Sequence, residues 1–312
     1  PAAGSPGSAK GAGQSRIPLT AMIADPHKSP PEHFPVTGAG LGLRMELIDA
    51  MRDEPPMQVG FIEVAPENWI GVGGARGKAL RFLTERYPLV CHGLSLSIGG
   101  PAPLDDDFLR SLKVFLDRHG ARTYTEHLSY CGDHGQLYDL MPIPFTEEAV
   151  HYVAQRIRRV QDVLERRIGM ENVSTYAAPA GELTELEFLN AVVAEADCGL
   201  HLDVNNIFVN SRNHGFDAIE YLDGIPVKRL MYAHIAGHHR EEDDLRIDTH
   251  GEGILPEVWD LLDEAYKRYG VFPTLLERDF NIPPLAEVLT ELDEIVRHQS
   301  RWREANDGAH VA

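Results

Sequence analysis

The chain is poor in the features that most readily place a sequence. Its 312 residues include only three cysteines, Cys91, Cys131 and Cys198, and none stand at CxxC spacing. That excludes a zinc ribbon, a thioredoxin-type redox pair and a disulfide framework. Cys91 and Cys198 lie in apolar runs and are expected as small buried hydrophobes, while Cys131 falls in a turn-rich segment without an assignment. No uninterrupted apolar run approaches the ~18 residues of a membrane span. The first residues carry no apolar core of a secretory signal, so a cytoplasmic protein is expected. Positive charge is scarce too: 29 Lys and Arg against 48 Asp and Glu leave a net charge of -19. Such a surface repels a phosphate backbone, and no nucleic-acid partner is expected.

What remains is an ordinary globular composition, 43% hydrophobic and 25% charged, able to bury a large core. Residues 1–36 are rich in Pro, Gly, Ser and Ala and read as a flexible leader. Residues 37–298 form the expected folded body, and 299–312 a frayed C-terminal tail. Within the body, short β-type runs alternate with amphipathic helical stretches, giving eight strand-plus-helix units. Seven of the eight strands end on a residue able to bind metal or move protons: Glu67, His92, His127, Glu171, Asp203, His234 and Glu277. In an α/β fold of the single (β/α)8 TIM-barrel type, all the C-terminal strand ends open onto one mouth. A doubly wound sheet would not need a donor at nearly every strand end. The connection from Tyr130 to Pro144 is too long for a tight loop and reads as a lid or binding loop.

The stretch AHIAGHHREEDDLRIDTHGEG, Ala233 to Gly253, concentrates the chemistry. His234, Asp248 and His250 offer imidazole and carboxylate donors without thiolate. That set suits Fe(II), Mn(II) or Zn(II) with open positions better than a closed structural zinc site. Together His92, His127, Glu171, Asp203, His234, Asp248, His250 and Glu277 supply eight donors, enough for two or three metals, with Glu171 able to bridge. Asn206 could complete a coordination sphere. Glu171, Asp203 and His234 are the expected catalytic residues. Glu67, Asn68, Asn205, His201, His238 and Arg44 are placed around them as contacts to substrate or to a ligand. Glu63 and Glu126 read as structural carboxylates. This donor set also fits a divalent-metal sugar isomerase, epimerase or hydrolase working without O2, or a metal-binding module without turnover. Four imidazoles tell against Mg2+, which prefers oxygen ligands.

The order and spacing of several words resemble the UPF0276 (DUF692) family of multinuclear non-haem iron-dependent oxidases, relatives of the methanobactin biosynthesis enzyme. These words are GLGLR at 40–44, EVAPENW at 63–69, HGLSLSIG at 92–99, EHLSY at 126–130 and MEN at 170–172. They continue with HLDVNNIFVN at 201–210, HIAGH at 234–238, DTHG at 248–251 and LLERD at 275–279. The resemblance implies a xylose-isomerase-like TIM barrel holding two or three iron ions of mixed Fe(II)/Fe(III) valence, with O2 as co-substrate. The family's ligands fall on the eight donors named above, with the Asn205/Asn206 region facing the irons. It implies further a ribosomally made precursor peptide as substrate, modified most commonly at cysteine, and a partner protein that presents the peptide leader.

Overall fold

The computed structural model describes residues 29–132, 136–177 and 181–309. Eight parallel strands close into a barrel: β1 Ala39–Gly42, β2 Phe61–Val64, β3 Leu89–Gly93, β4 Tyr124–His127, β5 Gly169–Glu171, β6 Gly199–Asp203, β7 Leu230–Ile235 and β8 Thr274–Leu276. Each pairs with its neighbour in the chain, and β8 closes on β1 through Ala39↔Thr274 and Leu41↔Leu276. This is the expected (β/α)8 barrel. The strands are too short to build side-chain layers other than by alternation, so residues two apart along a strand face the same interior.

The helices begin where polar side chains can cap them. Asp105 caps α3 (Asp106–His119) and Thr146 caps α4 (Glu147–Leu164), each accepting from backbone amides of the first turn. Thr184 and Glu187 form a reciprocal capping box on α5 (Glu185–Ala196). The remaining helices are α1 (Ile48–Asp53), α2 (Gly74–Thr84), α6 (Val204–His214), α7 (Ala218–Gly224), α8 (Pro256–Tyr269) and α9 (Leu285–Ala309). Among the described residues, no helix is long and apolar enough to cross a membrane.

Asn205 and Asn206 stand just beyond β6, in the first turn of α6, which Asp203 caps and Gly215 ends with φ of 74°. Two boundaries differ from expectation. The tail expected to fray from residue 299 is helical to Ala309, and Gln299 is buried with its amide donating to the carbonyls of Gly38 and Phe272. Those bonds satisfy backbone groups at the barrel's foot, which holds the helix in place. Of the 1–36 leader, residues 1–28 lie outside the described residues, while Val36 is already buried against Phe61, Val90, Tyr232 and Leu275. The long Tyr130–Pro144 connection contains an antiparallel pair, Tyr130–Gly132 with Gln136–Met141, and Leu137, Asp139 and Leu140 reach the barrel mouth.

Candidate metal centre

Alternation along the strands decides which side chains meet. Glu63, His92, His127, Glu171, His201, Asp203, His234 and Glu277 all project into the C-terminal half of the barrel. Their donor atoms fall into four groups, within each of which the atoms lie within 4.8 Å of one another: His92–His127–Glu171, Glu171–Asp203–His234, Asp203–His250–Glu277 and Glu63–His201–His234. The first three are chained, sharing Glu171 and then Asp203. His250 joins from the β7–α8 loop, where it holds a left-handed φ of 49°.

The close contacts are dense. Glu171 Oε2 lies 3.1 Å from His92 Nε2 and 3.3 Å from His127 Nε2, which are themselves 3.1 Å apart. His234 Nδ1 stands 2.8 Å from Glu277 Oε2 and 3.7 Å from Glu171 Oε1. His250 Nε2 is 2.6 Å from Asp248 Oδ1, yet not along a hydrogen-bonding direction. Glu171 Oε2, Asp203 Oδ2, Asn206 Oδ1, His234 Nδ1 and His250 Nε2 are all buried without a hydrogen-bond partner. Leaving one such atom unpaired costs about 1–3 kcal/mol, and five converging on one place is a pattern that cations relieve. The residues therefore fit metal ions, and the donor set of imidazoles and carboxylates is of the kind that holds first-row divalent metals.

The imidazoles are aimed by their other nitrogens. His127 Nδ1 donates to the Gly93 carbonyl at 2.9 Å, which leaves Nε2 as the lone pair facing Glu171. His92 Nδ1 donates to Thr125 Oγ1 at 2.8 Å, Thr125 Oγ1 to Tyr232 Oη at 2.9 Å, and Tyr232 Oη to Glu63 Oε2 at 2.6 Å. The same Glu63 oxygen accepts from His234 Nε2 at 2.9 Å. One buried carboxylate thus sets the tautomer of two ligand-type histidines. His250 Nδ1 is held 2.9 Å from Asp279 Oδ2.

Burial, then the neighbouring His127, pushes the His92 imidazole down to about 3, so its ring is neutral with Nε2 free to ligate. Burial would lower His127 as well, but the Glu171 and Glu126 carboxylates and the Gly93 carbonyl together outweigh it and carry the group up to about 9. Burial, against the pull of His127 and His234, raises Glu171 to about 7. Asp203 is raised well above the carboxylate range by burial and by Glu171 and Asp248. Protons shared among these groups are what bound cations would displace.

Around the donors lies a cavity of about 560 Å³, walled by His92, His127, Glu171, Asn206, Asp248 and His250, with Met45, Leu94, Leu137 and Phe280 at its rim. Arg44 lines it and is tied to Asp279 at 2.5 Å and Glu277 at 3.2 Å. Asn68 reaches the same wall. Asn205 bonds Asp248 Oδ1 through Nδ2 at 2.8 Å and meets His238 Nδ1 at 2.7 Å through Oδ1, so His238 acts on Asp248 through Asn205. His201 is fully buried beneath, packed edge-on against His92 and His234 at 4.8 and 4.0 Å between ring centres.

Glu67 is the exception among the expected strand-end donors. Its Oε1 accepts from the amides of Leu94 and Ser95 at 2.8 and 3.0 Å, and it joins none of the four groups. The inward carboxylate of β2 is Glu63, four residues earlier. Asp279 was missed as well, although it stands two residues after Glu277 in LLERD, and that spacing could have found it.

A family model described as RiPP precursor modification enzyme MbnB/TglH/ChrH matches residues 38–300. A UPF0276 protein of Nitrosospira multiformis is 55% identical over 280 residues, covering 89% of this chain and 99% of the relative. Among solved structures, a xylose isomerase-like TIM barrel protein from Mycobacterium smegmatis superposes with a TM-score of 0.55 at 12% identity, over 90% of this chain and 99% of that one. A 3-keto-D-glucoside 4-epimerase from E. coli gives 0.56 at 13% identity, over 84% and 99%. At such identities the two structures establish a xylose-isomerase-like barrel and no activity.

Proposed function

The chain belongs to the MbnB/TglH/ChrH family of RiPP precursor modification enzymes, the UPF0276 proteins, and from that premise we propose that it is a multinuclear non-haem iron, O2-dependent oxidase acting on a ribosomally made precursor peptide, most commonly at cysteine. The observation that carries this reading is the convergence of Glu171 Oε2, Asp203 Oδ2, His234 Nδ1 and His250 Nε2, buried and without hydrogen bonds, beside an open cavity. His92, His127 and Glu171 would hold one iron. Glu171, Asp203 and His234, helped by Glu277, would hold a second, and Asp203, His250, Glu277 and Asp248 a third with Asn206 beside it. Bound iron would supply the redox chemistry with O2 and lower the pKa of a substrate thiol.

The chain's own residues would do the rest. Glu63 fixes the lone pair of His234 on the metal side directly, and that of His92 through the Tyr232–Thr125 relay. Arg44 balances Glu277 and Asp279, keeping a crowded set of carboxylates together. The rim of Met45, Leu94, Leu137 and Phe280 gives peptide side chains an apolar seat while the wall stays polar. A cytoplasmic peptide substrate and a leader-presenting partner protein belong to the same reading.

The test is co-expression with a small cysteine-containing precursor peptide, iron loading, and peptide mass spectrometry in air and under argon. A mass change is expected only with iron and O2. Turnover under argon, or equal turnover of a ketose with Mn2+ or Mg2+, would refute the oxidase.

A further inference from the structure

Among the described residues, a cavity of about 850 Å³ lies outside the barrel, between α2 and α3. Neighbouring helices pack along the ring at α1–α2, α3–α4 and α4–α5, but α2 and α3 scarcely touch. The gap has an apolar floor, in which Val72 and Val114 remain 38% and 56% exposed. Its rim carries Lys78, Arg81, Arg110 and Arg118, with Glu85 as the one carboxylate among the lining residues. Among the described residues, Lys78, Arg81 and Arg118 have no carboxylate partner within 4.0 Å, and Arg110 has only the exposed Asp107. In a protein of net charge -19 this is a concentrated positive field. His119 at its edge feels it: burial, then Arg118 and Arg81, lower its pKa. Gly71, Gly73 and Gly74 leave open space where Cβ atoms would stand, so another backbone can come close. Trp69, only 4% exposed, lines both this groove and the metal cavity, so one side chain separates the groove from the barrel mouth.

We propose that the α2–α3 groove binds an acidic segment of the substrate polypeptide, leading away over Trp69 from the residue held at the mouth. The inference rests on the substrate being a polypeptide. The groove's charge, its exposed apolar floor and its place beside the mouth each fit an acidic chain carrying spaced apolar side chains.

The experiment uses the full chain and a fluorescein-labelled 12-residue peptide alternating Glu with Leu and Phe, followed by anisotropy, with a Lys-for-Glu peptide as control. The acidic probe is expected to bind, more weakly as salt rises. The triple variant Lys78→Glu, Arg81→Glu, Arg118→Glu is expected to weaken it by about tenfold or more, and Arg118→Gln alone by a smaller factor. Glu171→Ala should leave the probe's affinity unchanged. Equal binding of the Lys peptide, or unchanged binding by the triple variant, would each overturn the proposal. Probe binding involves no turnover. Intact binding with no peptide mass change in air would strike the oxidase reading and leave the groove standing.

Discussion

At the foot of the barrel Phe61, Val90, Tyr232 and Leu275 pack into an apolar plug with Val36. Two residues further along the same four strands stand Glu63, His92, His234 and Glu277, the inner wall of the candidate metal centre. The foot has its polar groups answered: Gln299 takes up stray carbonyls and Tyr266 Oη meets Thr274 Oγ1 at 2.6 Å. The mouth leaves buried nitrogens and oxygens unanswered. One strand register therefore stores stability at one end and reserves binding capacity at the other, and only the foot is expected to hold the fold without help.

The largest effect that would sharpen this contrast is at Glu171. Glu171→Ala removes an atom set shared by two of the donor groups, so iron content by elemental analysis and peptide mass change should vanish together. The fold should survive, because the residue supports no core packing at the foot. Next comes the foot itself. Phe61→Ala should cost about 3–5 kcal/mol in denaturant unfolding by leaving a cavity. Iron bound per folded molecule should stay the same. If Phe61→Ala also emptied the mouth, the two ends would not be separable.

Glu63 lies between these cases, and its effect is smaller. Glu63→Ala frees Tyr232 and His234 to turn away, and metal affinity should fall about 10–100-fold in competition titrations. Glu63→Gln keeps an acceptor for both and should restore much of that loss. A Gln variant no better than Ala would mean that charge at Glu63, not hydrogen-bond direction, governs the site.

The contrast between foot and mouth also explains what could be read from residues alone. His92, His127, Glu171, Asp203, His234 and Glu277 were legible because each ends a short apolar run, and a barrel gathers such ends. Glu63 was not. In VGFIEV a lone carboxylate looks like the solvent side of an alternating strand, and only the closed sheet shows that side to be the interior. α6 was hidden because VNNIFVNSRN is rich in asparagine, which favours turns until Asp203 caps the helix from the preceding strand. Asp248 and His250 were visible as a pair, whereas the Asn205–His238 link that steadies Asp248 depends on the first turn of α6 meeting the loop after β7.

The smallest effect is expected at Glu67, where the comparison can be broken most cleanly. Glu67 is a mouth-side carboxyl with Oε2 buried and unpartnered, yet it belongs to no donor group, so metal cannot relieve it. Burial, then the Glu126 carboxylate, push its pKa up to about 7. An unfolded glutamate ionises near its ordinary value of about 4.3. Between those values the unfolded chain has lost its proton while the folded one keeps it, so this group's contribution to stability falls as pH rises through the window and levels off above about 7. Glu67→Gln cannot titrate. Relative to the unchanged protein it should be near neutral at pH 5 and gain with rising pH, by at most about 3 kcal/mol and less after solvent screening. Urea unfolding at pH 5 and pH 8 checks this, and the gain should be the same with iron bound or removed. A gain present only in the iron-free protein would show that Glu67 answers to the metal after all, and the division of the mouth into ligands and loop supports would have to be redrawn.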